Sequence, residues 1–145
     1  MRIPSSAFLA LAFLVLAGAA VAQTAVNFTP FGRPCGGDLA GSLVRTAAGP
    51  VIRFDVTAAA PSSIAVMVIG QQLPAPLPLP NSNCGLLVQP RATLLAQVDG
   101  NGAAAFRFPL PPIAPIALDF QVVTIALNRN GRTAESTNGV TLTVR

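Results

Sequence analysis

The segment Pro80-Asn81-Ser82-Asn83-Cys84-Gly85-Leu86-Leu87-Val88-Gln89-Pro90 holds one of only two cysteines in the chain and leads from a proline-bounded turn into an apolar run. The other cysteine sits in Phe31-Gly32-Arg33-Pro34-Cys35-Gly36-Gly37, ahead of the first clear strand pattern. Two cysteines allow a single intramolecular pairing, so a Cys35–Cys84 bond would tie the early part of the chain to its middle. Whether such a bond persists depends on the compartment, and the first residues bear on that.

Met1-Arg2 is followed by the apolar stretch Ala7 to Leu16 and then by small residues from Ala17 to Ala22. A positive start, a short apolar segment and Ala20-Val21-Ala22 have the layout of a secretory signal peptide over residues 1–22, cleaved between Ala22 and Gln23. The apolar run is shorter than the roughly 20 residues needed to span a bilayer. Contact with a membrane is therefore expected only through an uncleaved leader. Export makes the two cysteines a disulfide, and closing that loop stabilises the fold by about 4 kcal/mol on a chain-entropy model. The chain lacks the C-x-x-C spacing of a redox motif and has too few Cys and His for a zinc site.

Residues 23–145 are the size of one domain. Hydrophobic residues make up 52% of the 145-residue sequence and charged residues only 10%, the reverse of a disordered composition. The net charge of +4 comes entirely from arginine, since there is no lysine or histidine. Arg33, Arg45, Arg53, Arg91, Arg107, Arg129, Arg132 and Arg145 are scattered singly. Without a basic run or a basic stripe carrying aromatics, nucleic acid is not an expected partner.

Residues Gln23 to Gly41 are rich in Gly and Pro and predict an irregular lead-in. Val51-Ile52-Arg53-Phe54-Asp55-Val56 alternates, with Ile52, Phe54 and Val56 on one face, as in a strand with one side to water. Ser63 to Ile69 is apolar on both faces and predicts a central, covered strand ending at Gly70. Leu73-Pro74-Ala75-Pro76-Leu77-Pro78-Leu79-Pro80 has proline at every second position and predicts an extended surface connection, because proline has no N–H for a central ladder. Leu86 to Gln89 and Thr93 to Val98 are strand candidates broken by Pro90. Asp99-Gly100-Asn101-Gly102 then predicts a β-hairpin into Ala104, Phe106 and Phe108. Asp99 and Asn101 also match the opening of a calcium loop, but the later oxygen ligands are replaced by Ala103, Ala105 and Leu110.

Pro109 to Pro115 is a second proline-punctuated crossing. Ile116 to Leu127 is the longest strand candidate, with Phe120 and Val122 in the core. Asn128 to Arg132 is a turn centred on Asn130-Gly131, and Val140, Leu142 and Val144 form the buried face of a closing strand. No segment after the leader combines a helical period with helix caps. The expected fold is all-β: a single antiparallel, Ig-like β-sandwich of seven to eight short strands, preceded by the signal-peptide helix.

Several features occur in a recognisable order. They are the Cys35 segment, an apolar strand pair, the Pro/Leu stretch, Asn83-Cys84-Gly85-Leu86-Leu87-Val88-Gln89-Pro90 and the Asp99 turn. Phe108-Pro109-Leu110-Pro111, Asp119-Phe120-Gln121 and Ser136-Thr137-Asn138-Gly139-Val140-Thr141-Leu142-Thr143-Val144 follow. Over nearly all of residues 23–145 this resembles uncharacterised two-cysteine β-sandwich domains of secreted bacterial proteins, found alone or at the ends of larger exported chains. The resemblance implies export, the disulfide and a β-sandwich, and it carries no activity or catalytic residues.

The absence of histidine removes Ser-His-Asp triads, Cys-His pairs and His-ligated metals from this chain. The absence of lysine removes Schiff bases and P-loop chemistry. A carboxylate pair is the remaining catalytic arrangement. Among Asp38, Asp55, Asp99, Asp119 and Glu135, it would be Asp55 and Asp119, both on strand candidates. There is no Trp or Tyr to stack on sugars. The expected function is a non-catalytic structural or interaction module, secreted, periplasmic or at the cell surface, without cofactor or metal. Its partner would be an envelope protein or polysaccharide, met through edge strands and proline-rich loops. The competing expectation is a carbohydrate- or small-ligand-binding sandwich.

Overall fold

A computed structural model of the protein describes residues 24–112 and 115–145. The expected leader and its expected Ala22/Gln23 cleavage site lie outside the described residues, as do Ile113 and Ala114 in the second proline crossing. Eight strands follow one another: β1 (Val26–Phe31), β2 (Asp38–Thr46), β3 (Gly49–Thr57), β4 (Ile64–Pro78), β5 (Gly85–Gln97), β6 (Ala104–Pro109), β7 (Ile116–Asn128) and β8 (Gly131–Val144). Among the described residues there is no helix. All strand pairs are antiparallel, in a five-stranded sheet ordered β1-β8-β7-β4-β5 and a three-stranded sheet ordered β2-β3-β6.

The core between the sheets follows from period-2 alternation. Ile52, Phe54 and Val56 of β3 face Ala65 and Met67 of β4, Phe120 and Val122 of β7, and Val140, Leu142 and Val144 of β8, all buried. Phe54 is fully buried at the centre, with ring-centroid distances of 5.8 Å to Phe28, 6.2 Å to Phe108 and 4.4 Å to Phe120. Aromatic pairs at such separations add to the value of simple burial.

Four expectations are corrected. The lead-in is not irregular: β1 pairs along β8 from Val26↔Val144 to Phe31↔Gly139, and β2 begins at Asp38. β1 is a sheet edge, which tolerates Pro30. The strands are not all short, since β4 has 15 residues, β8 14, and β5 and β7 13 each. The Asp99 turn is not a hairpin, because β5 and β6 belong to different sheets. Its Asp99 Oδ1 accepts from the N–H groups of Asn101 and Ala103 at 2.8 and 2.9 Å, and the chain crosses from one sheet to the other.

The fourth correction concerns the prolines. Gly70 does not end β4, which runs on through Pro74, Pro76 and Pro78 and rejoins β5 at Leu77↔Leu86 and Pro78↔Gly85. β7 pairs with β4 only as far as Gly70↔Asp119, so the prolines have a ladder partner on one side alone. The register shifts at Ile69/Gly70, and a Cβ on Gly70 would collide with the Gln89 carbonyl oxygen. Only glycine permits that backbone approach. Beyond this irregularity the β4–β5 arm lies against the outer face of its own sheet. There Leu79 and Leu86 pack with Phe31 on a second small core of Val68, Val88 and Val123.

Candidate functional site

The two segments that stand out most in the sequence, around Cys84 and around Ser136, meet in space. Cys35 and Cys84 form the disulfide, with Cα atoms 5.5 Å apart. The Cys35 N–H donates to the Ser136 carbonyl at 2.7 Å, and the Ser136 hydroxyl donates to the Gly85 carbonyl at 3.0 Å. Gln121, fully buried, accepts from the Leu87 N–H at 2.7 Å and donates to the carbonyls of Gly85 and Thr137 at 3.2 and 2.9 Å. The β7–β8 register shifts between Gln121 and Val123. There the Thr137 hydroxyl takes the Val122 N–H at 3.0 Å and donates to the Asn138 carbonyl at 2.7 Å.

Asn138 reaches the other sheet. Its side-chain oxygen accepts from the Leu39 N–H at 2.8 Å and its amide donates to the Leu39 carbonyl at 3.0 Å. Gly139 lies under the Phe31 ring, where a Cβ would collide. Each polar side chain of this cluster is thus occupied in joining β2, β5, β7 and β8, as buried polar groups require. The cluster acts as a structural clamp. Beside it Arg33, Pro76, Pro78, Asn83, Leu87 and Ser136 help line an open cleft of about 710 Å³, with no nucleophile set against a base.

Asp55 and Asp119 do not share a face. Asp55 points outward from the three-stranded sheet and pairs with Arg53 at 2.7 Å. Asp119 points outward from the five-stranded sheet, accepting from the Gln72 N–H at 2.8 Å and the Thr141 hydroxyl at 2.6 Å. Alternation along β3 and β7 sends Phe54 and Phe120 into the core and the two carboxylates to opposite sides of it. They cannot flank one scissile bond. Among the described residues, no group of three or more Cys, Asp or Glu side chains could hold a metal ion.

The four sheet edges differ in how they are protected. β1 is short and contains Pro30, β6 is short and carries Arg107 and Pro109, and β2 carries Asp38, Gly41 and Arg45. Such charges, prolines and short lengths discourage pairing with another chain. β5 is protected by Pro90, Arg91 and its bulge only in its first half. From Ala92 to Gln97 it has neither charge nor proline.

The Val98 N–H donates to the Ser63 carbonyl at 2.9 Å. By the alternation of an antiparallel ladder, the backbone groups of Thr93, Leu95 and Gln97 then point away from β4. Leu95 is 73% exposed, and Ile64, two residues along β4 from its cross-strand partner Val66, is 45% exposed. Sequence reasoning passed over this pair, although adjacent Leu94 and Leu95 in a strand must put one leucine on each face. The protein matches no family model, no curated protein and no solved structure.

Proposed function

We propose that the protein is an exported, non-catalytic interaction module, and that an extended segment of a partner protein in the cell envelope adds to the free edge of β5. The observation that carries this reading is the unprotected run Ala92–Gln97, with outward backbone groups and the exposed side chains of Leu95 and Ile64. Strand addition obtains affinity from main-chain hydrogen bonds and specificity from alternate side chains. The Cys35–Cys84 bond is consistent with an oxidising extracellular compartment. The leader over residues 1–22 supports export, and the resemblance to two-cysteine sandwich domains of secreted bacterial proteins points the same way.

The test is parallel capture from envelope fractions with the oxidised protein and its Leu95→Pro variant. That substitution deletes an outward N–H without removing a β4–β5 ladder bond. A protein captured by the wild type and lost with Leu95→Pro, while unfolding midpoints stay close, is the expected result. Equal capture by both forms would discard the β5 edge. Retention of polysaccharide instead would favour a sugar-binding sandwich.

A further inference from the structure

The outer face of the three-stranded sheet carries a second arrangement, independent of β5. Because Ile52 and Phe54 point into the core, Val51 and Arg53 point outward. Their cross-strand partners are Val44 and Pro109 for Val51, and Ser42 and Arg107 for Arg53. Val44, Val51 and Pro109 therefore make an apolar row across the sheet, and the two arginines stand together one step along it. These residues, with Ala48 from the β2–β3 turn and Pro50 at the start of β3, line a trough of about 440 Å³. That volume and a mostly apolar lining with a few polar groups are typical of small-molecule sites.

The trough is held in shape before any ligand arrives. The Thr46 hydroxyl donates to the Gly49 carbonyl at 2.7 Å and fixes the turn wall. The Leu110 N–H donates to the Pro50 carbonyl at 3.2 Å and ties the end of β6 to β3. Pro50 and Pro109 add rigid rings.

The charges are unbalanced. Like charges directly opposite on a ladder are unfavourable, yet Arg53 and Arg107 are opposite each other. Arg53 has a counter-charge, its Nε and one terminal nitrogen both meeting Asp55 Oδ1 at 2.8 and 2.7 Å. Arg107 is exposed and has no carboxylate at ion-pair distance among the described residues. A planar guanidinium beside an apolar row is suited to a carboxylate held by two parallel hydrogen bonds.

We propose that this trough binds a small amphiphilic carboxylate, its apolar chain lying on Val44, Val51 and Pro109 and its carboxylate on the Arg107 guanidinium beside Arg53. The test is a methyl-resolved NMR titration of the oxidised protein with sodium decanoate below its micellar range, with 1-decanol as the uncharged control. The expected result is a saturable shift of the Val44 and Val51 methyl signals, with decanol about tenfold weaker or more, as befits loss of a charge-assisted hydrogen bond. Arg107→Ala should weaken decanoate by a similar factor, and Arg91→Ala, on β5, should leave it unchanged. Equal binding of decanol and decanoate would overturn the proposal, as would shifts confined to Ile64 and Leu95 or no saturable shift. The comparison of the two probes on the wild type stands even if a variant misfolds.

Discussion

The Leu87 N–H donates to the side-chain oxygen of Gln121 at 2.7 Å, although β5 and β7 are separated in their sheet by β4. The contact exists because the β4–β5 arm bends back over the sheet it belongs to, and the Gln121 amide is the polar group it lands on. Replacing Gln121 with Leu leaves the Leu87 N–H and the Thr137 carbonyl without this partner, while the Gly85 carbonyl keeps the Ser136 hydroxyl. At about 1–3 kcal/mol for each of the two stranded groups, the expected loss is about 2–6 kcal/mol. Urea denaturation measures it, and a loss under 1 kcal/mol would mean that water replaces the amide at little cost.

The disulfide holds the same arm from its tip. Reduction, or Cys35→Ser with Cys84→Ser, is expected to lower stability by about 4 kcal/mol or less. The loss should be uneven. Hydrogen exchange should quicken first from Pro76 to Leu87, while amides of Ile52 to Val56 between the sheets keep their protection. Uniform loss across both regions would show that the arm is not a separable unit.

The two strand carboxylates should respond differently to neutralisation. Asp55 and Arg53 are each a little over one-third exposed in their side chains, and exposed pairs contribute less than about 1 kcal/mol. Asp119 instead satisfies both the Gln72 N–H and the Thr141 hydroxyl, so Asp119→Asn should cost about 1–2 kcal/mol. Thermal melts of the two variants side by side test the order. A larger cost for Asp55→Asn would point to a role for that ion pair that its geometry does not show.

The legible parts of the fold were those whose information is local. Ile52, Phe54 and Val56 alternate with Arg53 and Asp55, and the core face of β3 follows directly. Phe120, Val122, Val140, Leu142 and Val144 were legible for the same reason, as was the turn at Asn130-Gly131. Strands whose partners decide their fate were not. Pro30 and the prolines from Pro74 to Pro78 argue against central ladders, but they do not exclude a strand with one free side, which is how β1 and the end of β4 are built. The Asp99 turn has hairpin chemistry, and nothing within it says that the next strand joins a different sheet.

The site was less legible than the fold. Asn138 finds Leu39 and Ser136 finds Gly85 far along the chain, so a distinctive motif could be seen without its clamping role being deducible. The opposition of Arg53 and Arg107 is likewise a matter of register, which no stretch of sequence reveals by itself.

The pairing of β1 with β8 sets an order on the birth of the molecule. Ala25 and Arg145 exchange backbone hydrogen bonds at 2.9 and 3.0 Å, so the first of the eight described strands is completed by the eighth. A chain emerging from a ribosome holds β1 without its neighbour until the six strands between them have been delivered. Its five-stranded sheet cannot finish in stages from the front. Closure of such distant contacts is a slow step in folding. Through that interval Val26 to Phe31 is an unsheltered segment whose backbone is open to pairing with other chains.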